Sequence, residues 1–234
     1  MKFSRKSALF IHFIIDELIP PILRDSKWFM YIPFWLMFKD KCRIFLDFKD
    51  NALQLTEDEL SEIYFITKDV HINRETDINK ECLFEIERNI LNGEKVLDIA
   101  CGNGFLSQLL SKKADIVGAD FSLNKSLVSE TESLFFTQEN IENISFPDNY
   151  FDTVVCAHTL EHVRNIGRAI SELRRVSKNK LIIVVPKQRP YKYTFDLHLH
   201  FFPTRMALEI LMGRVSKSTC KTLGGDLFYI EYKQ

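Results

Sequence analysis

The chain has 234 residues, 46% of them hydrophobic and 27% charged, with 31 Lys or Arg against 32 Asp or Glu and a formal charge of −1. Such a composition buries a full core, which excludes a disordered, collagen-like or multi-pass membrane chain, and the near-neutral balance supplies no broad field for holding DNA or RNA. The five cysteines, Cys42, Cys82, Cys101, Cys156 and Cys220, never lie closer than 19 residues, which fits neither a disulfide framework nor Cys-x-x-Cys zinc spacing and makes a reducing cytoplasm the expected home.

Along the chain, Ala8 to Ile19 is apolar except at His12, Asp16 and Glu17, which predicts a helix with a wide stripe to cover, ended at Pro20-Pro21. No small-residue cleavage site follows, so a signal peptide is not expected. Trp28 to Phe38 reads WFMYIPFWLMF, an apolar run of 11 residues where a bilayer span needs roughly 20. Residues 1–50 carry nine Lys or Arg against six acids and residues 51–95 five against eleven, so a slightly basic aromatic segment precedes an acidic one. Thr56 followed by Glu57, Asp58 and Glu59 opens a helix, and residues 80–91 form another, stopped by Asn92-Gly93. We therefore divide the chain into a helical, aromatic cover over 1–92 and a main domain over 93–234.

Beyond Gly93, short apolar runs alternate with amphipathic stretches, the pattern of a parallel sheet covered by helices. Strands are predicted at 95–100, 115–120, 133–137, 151–157 and 180–185, with helices at 105–112, 123–130, 162–177 and 204–212. Two further β-like runs, 216–222 and 227–232, are joined across Leu223-Gly224-Gly225-Asp226 as an antiparallel hairpin. The fold class is α/β, a doubly wound Rossmann-like and mostly parallel sheet.

The segment KVLDIACGNGFL, Lys95 to Leu106, runs from a buried strand through a glycine-containing turn into a helix. Gly102 and Gly104 let the backbone turn tightly and approach a ligand, and the following helix directs its first N–H groups at it. An acid inside the first strand, Asp98, and one ending the second, Asp120, are placed for ribose hydroxyls. A nicotinamide-binding fingerprint needs a third glycine where Ser107 stands, which disfavours a dinucleotide oxidoreductase.

This string resembles motif I of class I S-adenosylmethionine-dependent methyltransferases, with Ala100 where the family most often has glycine. GADFS (118–122) resembles the end of the family's second strand. ENIENISFPDNYFDTVVCAHTLEHV (139–163) resembles its adenine loop, fourth strand and the LEHV turn of small-molecule members, and ELRRVSKNKLIIVVP (172–186) the helix and strand that follow. The resemblance implies S-adenosylmethionine as cofactor, with backbone around Ala100 and Gly102 holding its methionine part, Asp98 its ammonium and Asp120 its ribose. Phe121 would lie against the adenine, and Asn140 and Ile141 would meet the adenine edge. Asn140 stands where the family usually has aspartate and can still accept a hydrogen bond through its carbonyl oxygen. Gly104 completes the motif.

Methyl transfer from a sulfonium leaves the protein to position the acceptor and, for a hydroxyl, to remove its proton. Candidates lie after the fourth and fifth strands. His158 is one, as base, cofactor contact or structural histidine; Glu161 and His162 are read as caps of the next helix. In YKYTFDLHLHFF (191–202), an extended backbone would put Asp196, His198 and His200 on one face. That face could be a metal set, a hydrogen-bonded lid, or the source of a general base. We expect no metal and a base role for His200 ahead of His198. Arg74 could pair with the cofactor carboxylate or form a surface ion pair.

Neither an N/D-P-P-Y nor a Pro-Cys signature follows the fourth strand, so the sequence points to a methyltransferase acting on a small-molecule, sugar or lipid-linked acceptor, expected at a hydroxyl. The alternative is a non-catalytic cofactor-binding scaffold or regulator. A nucleic-acid partner is disfavoured. The aromatic N-terminal run reads foremost as a packing cover, and otherwise as an acceptor lid or a peripheral membrane contact. Acceptor identity and oligomeric state are not written in these patterns.

Overall fold

The structure, a computed structural model, describes residues 13–14, 18–67, 76–123, 127, 132–193, 195–213 and 215–233. The helices expected at 8–19 and 123–130, and Arg74, lie largely or wholly outside the described residues. Two compact units are present, Met1–Arg74 with Arg189–Leu199, and Glu75–Gln188 with His200–Gln234.

The first unit is helical: α1 (Pro21–Arg24), α2 (Lys27–Phe38), a 3₁₀ turn, α3 (Cys42–Asn51) and α4 (Glu57–Thr67). Met30, Phe34 and Phe38 fall at i, i+4 and i+8 on α2 and are buried together with Phe45, Leu46 and Phe48 of α3. Phe38 stacks on Phe45 with centroids 3.8 Å apart, and Phe34 meets Phe195 at 4.3 Å. Tyr193, Phe195 and Leu197 complete this core, so the segment 189–199 is an integral part of the helical unit. Lys49 Nζ also donates to the Tyr191 carbonyl, and burial pushes its pKa down to about 8. At α4 the expected N-terminus forms as a reciprocal capping box: the Thr56 N–H donates to Glu59 Oε2 at 2.8 Å and the Glu59 N–H to Thr56 Oγ1 at 3.3 Å.

The second unit opens with α5 (Lys80–Asn89) and continues through β1 (Lys95–Ile99), α6 (Phe105–Leu110), β2 (Asp115–Asp120), β3 (Leu134–Gln138), β4 (Phe151–Ala157), α7 (Ile166–Val176), β5 (Ser177–Pro186), α8 (Arg205–Met212), β6 (Ser218–Leu223) and β7 (Asp226–Tyr232). The sheet order is β3-β2-β1-β4-β5-β7-β6, with β7 antiparallel to both of its neighbours and the β1 to β5 pairs parallel. Strand order therefore reverses between β1 and β4, which opens the ligand crevice of doubly wound sheets at their carboxyl ends.

Side-chain alternation divides the core into two layers. Leu97, Ile99, Val154, Cys156 and Ile183 face α7 and α8. Val96, Ile116, Val155, Ile182 and Phe228 pack with Cys82 and Ile86 of α5, Ile90 just after it, and Leu106 and Leu110 of α6. That packing places α5 with the sheet: by their contacts the two units divide near residue 74, and residues 189–199 group with the helical unit although they follow β5.

Asn79 joins α5 to the hairpin. Its Oδ1 accepts from the N–H groups of Glu81 and Cys82, both at 2.9 Å, while its Nδ2 donates to the Leu223 carbonyl at 2.9 Å and to Asp226 Oδ2 at 2.7 Å. Gly224, at φ +55°, lies so close that a Cβ there would stand 2.4 Å from Asn79 Oδ1. Replacing Asn79 by Ala should remove a cap and strand the hairpin partners, lowering stability by about 2 kcal/mol. Urea unfolding checks this, and an unchanged midpoint would show that the junction contributes nothing.

Candidate active site

The loop leaving β1 crosses the strand-switch crevice. Its backbone is left-handed at Ala100 (φ +61°), Gly102 (+57°) and Gly104 (+77°). Gly104 is required as glycine, because a Cβ would come within 2.9 Å of the Phe136 ring on β3. Ala100 adopts a conformation that costs an L-residue roughly 1–2 kcal/mol, so the loop is held there by its surroundings.

Part of that hold comes from Asp120 at the end of β2. Its Oδ2 accepts the Gly102 N–H at 2.9 Å and its Oδ1 the Ser122 N–H at 2.9 Å. Each oxygen keeps a second lone pair, which suits a diol. The Gly104 N–H donates to the Cys101 carbonyl at 2.9 Å and the Phe105 N–H to Asn103 Oδ1 at 3.2 Å. These donors, expected to meet a ligand, are engaged by the loop itself, which leaves the carboxylate as the main polar feature of the crevice on this side. A side chain on Gly102 would meet no protein atom within 4 Å, so the outer face of the loop is open.

Asp98 lies beneath the loop, 2% exposed, on the sheet face that carries α6. Its Oδ2 accepts the Ser107 hydroxyl at 2.5 Å. Burial raises its pKa to about 6, a shift the Ser107 hydrogen bond opposes and nearby Asp120 reinforces. Ser107, seen in the sequence only as a missing glycine, is thus the residue that accommodates a buried acid.

On the β3 side, Asn140 forms an Asx turn in which Oδ1 accepts the Glu142 N–H at 2.9 Å. Glu139 braces the same loop by accepting from the Ser145 backbone N–H at 2.9 Å and from its hydroxyl. Ile141 is buried in the α7 layer, and Phe121 is half-buried, its carbonyl accepting from Gln138 Nε2 at 3.0 Å.

After β4, His158 sits at φ +51° with its N–H donating to the Val184 carbonyl at 2.8 Å. Its Nδ1 is 3.6 Å from Glu161 Oε1 and its Nε2 3.4 Å from Asp226 Oδ2. Burial alone would depress the imidazole, but Asp226 and Glu161 outweigh it and hold the pKa at about 10. The ring is a cation at neutral pH, which does not suit it to take a proton. Glu161 does not cap α7 as expected; that cap is Asn165, whose Oδ1 accepts the Arg168 N–H at 3.0 Å. The Asp226 contact was invisible in the sequence because the residue reads as part of the turn.

His200 packs on the LEHV turn: its N–H donates to the Glu161 carbonyl at 3.0 Å, and Nε2 lies 2.9 Å from the Val163 carbonyl. A carbonyl only accepts, so Nε2 carries the proton and Nδ1 the lone pair. His198 is buried in the segment belonging to the helical unit. Among the described residues of 191–201 there is no strand, and Leu197 at φ +57° breaks the alternation that would set Asp196, His198 and His200 on one face.

Residues 97–185 match a family described as a methyltransferase domain. The acid-ended strands and left-handed loop at the sheet's switch point accord with that match. Residues 97–185 are a class I S-adenosylmethionine-dependent methyltransferase domain. Similar proteins include the ubiquinone/menaquinone biosynthesis C-methyltransferases UbiE of Burkholderia multivorans, 36% identical over 48% of this chain and 52% of that protein, and of Cupriavidus metallidurans, 37% identical over 39% and 42%. The chain thus spans about half the length of the curated relatives it matches. A methyltransferase structure from Aquifex aeolicus shares the fold, with TM-score 0.51 and 18% identity, covering 76% of this chain and 98% of that one.

Asp98 makes the methyltransferase domain's stability depend on pH in a defined direction. Its folded pKa is raised above the unfolded value, so the fold binds the proton more tightly and loses stability as pH rises from about 4 through about 6. Between pH 4 and pH 7 the stability of Asp98→Asn relative to the parent should shift in the variant's favour by about 2 kcal/mol. Urea midpoints across that range test it; parallel curves would show that Asp98 titrates normally.

Proposed function

We propose that the protein transfers a methyl group from S-adenosylmethionine to a small or lipid-linked acceptor bearing a hydroxyl. The observation that carries this is the Asp120 carboxylate at the strand switch, holding the loop through Gly102 while retaining lone pairs for a ribose. The residues fit the cofactor: an open loop face at Gly102, a diol acceptor at Asp120, and at Asp98 a buried acid that a nearby cation would stabilise in its charged form. Ala100 and Gly102 would hold the methionine part and Asp98 would act on the ammonium from beneath the loop. Gly104 keeps the loop's close seat on β3, Phe121 would lie against the adenine, and Asn140 with Ile141 would line its edge, through the turn backbone more than through the committed Asn140 oxygen.

Bound S-adenosylmethionine supplies an activated methyl on a sulfonium. The chain's own work is then to bind, to orient and to accept one proton from the acceptor. That requirement is the same whether the methyl goes to oxygen or to a ring carbon made nucleophilic by a neighbouring hydroxyl, and the C-methyltransferase relatives favour the ring carbon. Of the three histidines, His158 is committed to two carboxylates and would orient the crevice wall. His200, with its lone pair on Nδ1, is the base we assign ahead of His198.

Calorimetry should detect S-adenosylmethionine and its demethylated product but not NAD. Asp120→Ala should weaken the cofactor by about 1.5–3 kcal/mol, the range for losing hydrogen bonds to a charged group; an unchanged affinity would place the ribose elsewhere. With quinols and other hydroxylated aromatics as acceptors, His200→Gln keeps a donor for Val163 yet cannot take a proton, so it should lower turnover by about 10²–10⁴ with cofactor affinity retained. Full turnover in that variant would remove the base assignment.

A further inference from the structure

The helical unit carries an apolar surface that its own core does not use. On α2, Met30, Phe34 and Phe38 point inward, 1%, 0% and 7% exposed. Trp28, Tyr31, Ile32, Trp35 and Leu36 form a second stripe at i, i+3, i+4, i+7 and i+8 and are 43–72% exposed. Ile22 on α1, 83% exposed, adds to the apolar surface of this unit. A helix apolar on both faces belongs in a core or against a second medium.

Charge identifies that medium. Residues 24–43 carry five Lys or Arg against two Asp, a local excess of +3 in a chain whose net charge is −1. Lys39 Nζ lies 5.0 Å over the Trp35 ring, and Lys27 at the other end of the helix is exposed but paired with Asp47 Oδ1 at 2.5 Å. Trp and Tyr with an apolar body and polar edge, flanked by lysines, match the headgroup level of a bilayer. Five side chains exposing about half their area offer on the order of 500 Å², short of the ~800 Å² per partner that a stable dimer needs. At 12 residues α2 is too short to cross a bilayer, and among the described residues no helix is long and apolar enough to do so.

We infer that the outer face of α2 docks flat on an anionic lipid surface, with Trp28, Ile32 and Leu36 entering the interface and Lys39 at the phosphates. The inference does not depend on the methyl acceptor. Both tryptophans of the chain lie on this face, so their emission reports the contact directly. The full chain should sediment with vesicles of 70% phosphatidylcholine and 30% phosphatidylglycerol, with blue-shifted emission quenched by brominated acyl chains, and at least tenfold less with phosphatidylcholine alone. Trp28→Ser combined with Ile32→Ser and Leu36→Ser, all at exposed positions, should lose at least tenfold in vesicle binding with Trp35 as reporter, while keeping the parent's melting curve and cofactor affinity. Lys39→Glu should weaken binding to the anionic vesicles. No partition of the parent, equal partition of the triple variant, or a concentration-dependent dimer abolished by the same substitutions without vesicle binding would each overturn the proposal, the last in favour of a second copy.

Discussion

The imidazolium of His158 between two buried carboxylates is the contact on which the crevice wall depends. Two acids so close in a low-dielectric interior would repel and shed their charge; one cation between them makes the cluster tolerable. Through it the end of β4, the start of β7 and the LEHV turn share one point. Asp226 extends the cluster to Asn79, which caps α5, so a charge arrangement at the ligand side is continuous with the helix that covers the opposite layer of the sheet. His200 is placed by the same turn, through backbone bonds to Glu161 and Val163.

The other side of the crevice uses a different economy of groups. Burial raises the pKa of Asp98 to about 6, and Asp120 is engaged by two backbone donors. One acid thus carries its charge at a cost that an approaching cation would relieve, and the other lends lone pairs without moving. The left-handed Ala100 between them shows that the loop geometry is imposed by these contacts and not by the residue's own preference.

The sheet was largely readable from the sequence where buried runs are bounded by turn residues: β2 and β4 fall at the residues expected, and the hairpin tightens to a two-residue turn because Gly224 and Gly225 both accept positive φ. The helix over Lys27–Phe38 was not foreseen, since Pro33 suggests a break and an all-round apolar run has no periodicity to read. Long-range partners were equally hidden. Nothing local to Asp226 announces His158, and nothing in 189–199 announces that its aromatic side chains belong with Phe34. The glycine loop and its acids were legible because their chemistry is confined to a few consecutive residues.

The helical unit is assembled from two stretches of chain with the first five strands of the sheet between them. Its aromatic core lacks Tyr193, Phe195 and Leu197 until more than a hundred intervening residues have been made. During synthesis, therefore, Phe34 and its neighbours must wait with part of their apolar surface uncovered while the sheet is still being produced. Closing so distant a contact is slow compared with local helix formation. Completion of this core is thus coupled to translation past residue 199.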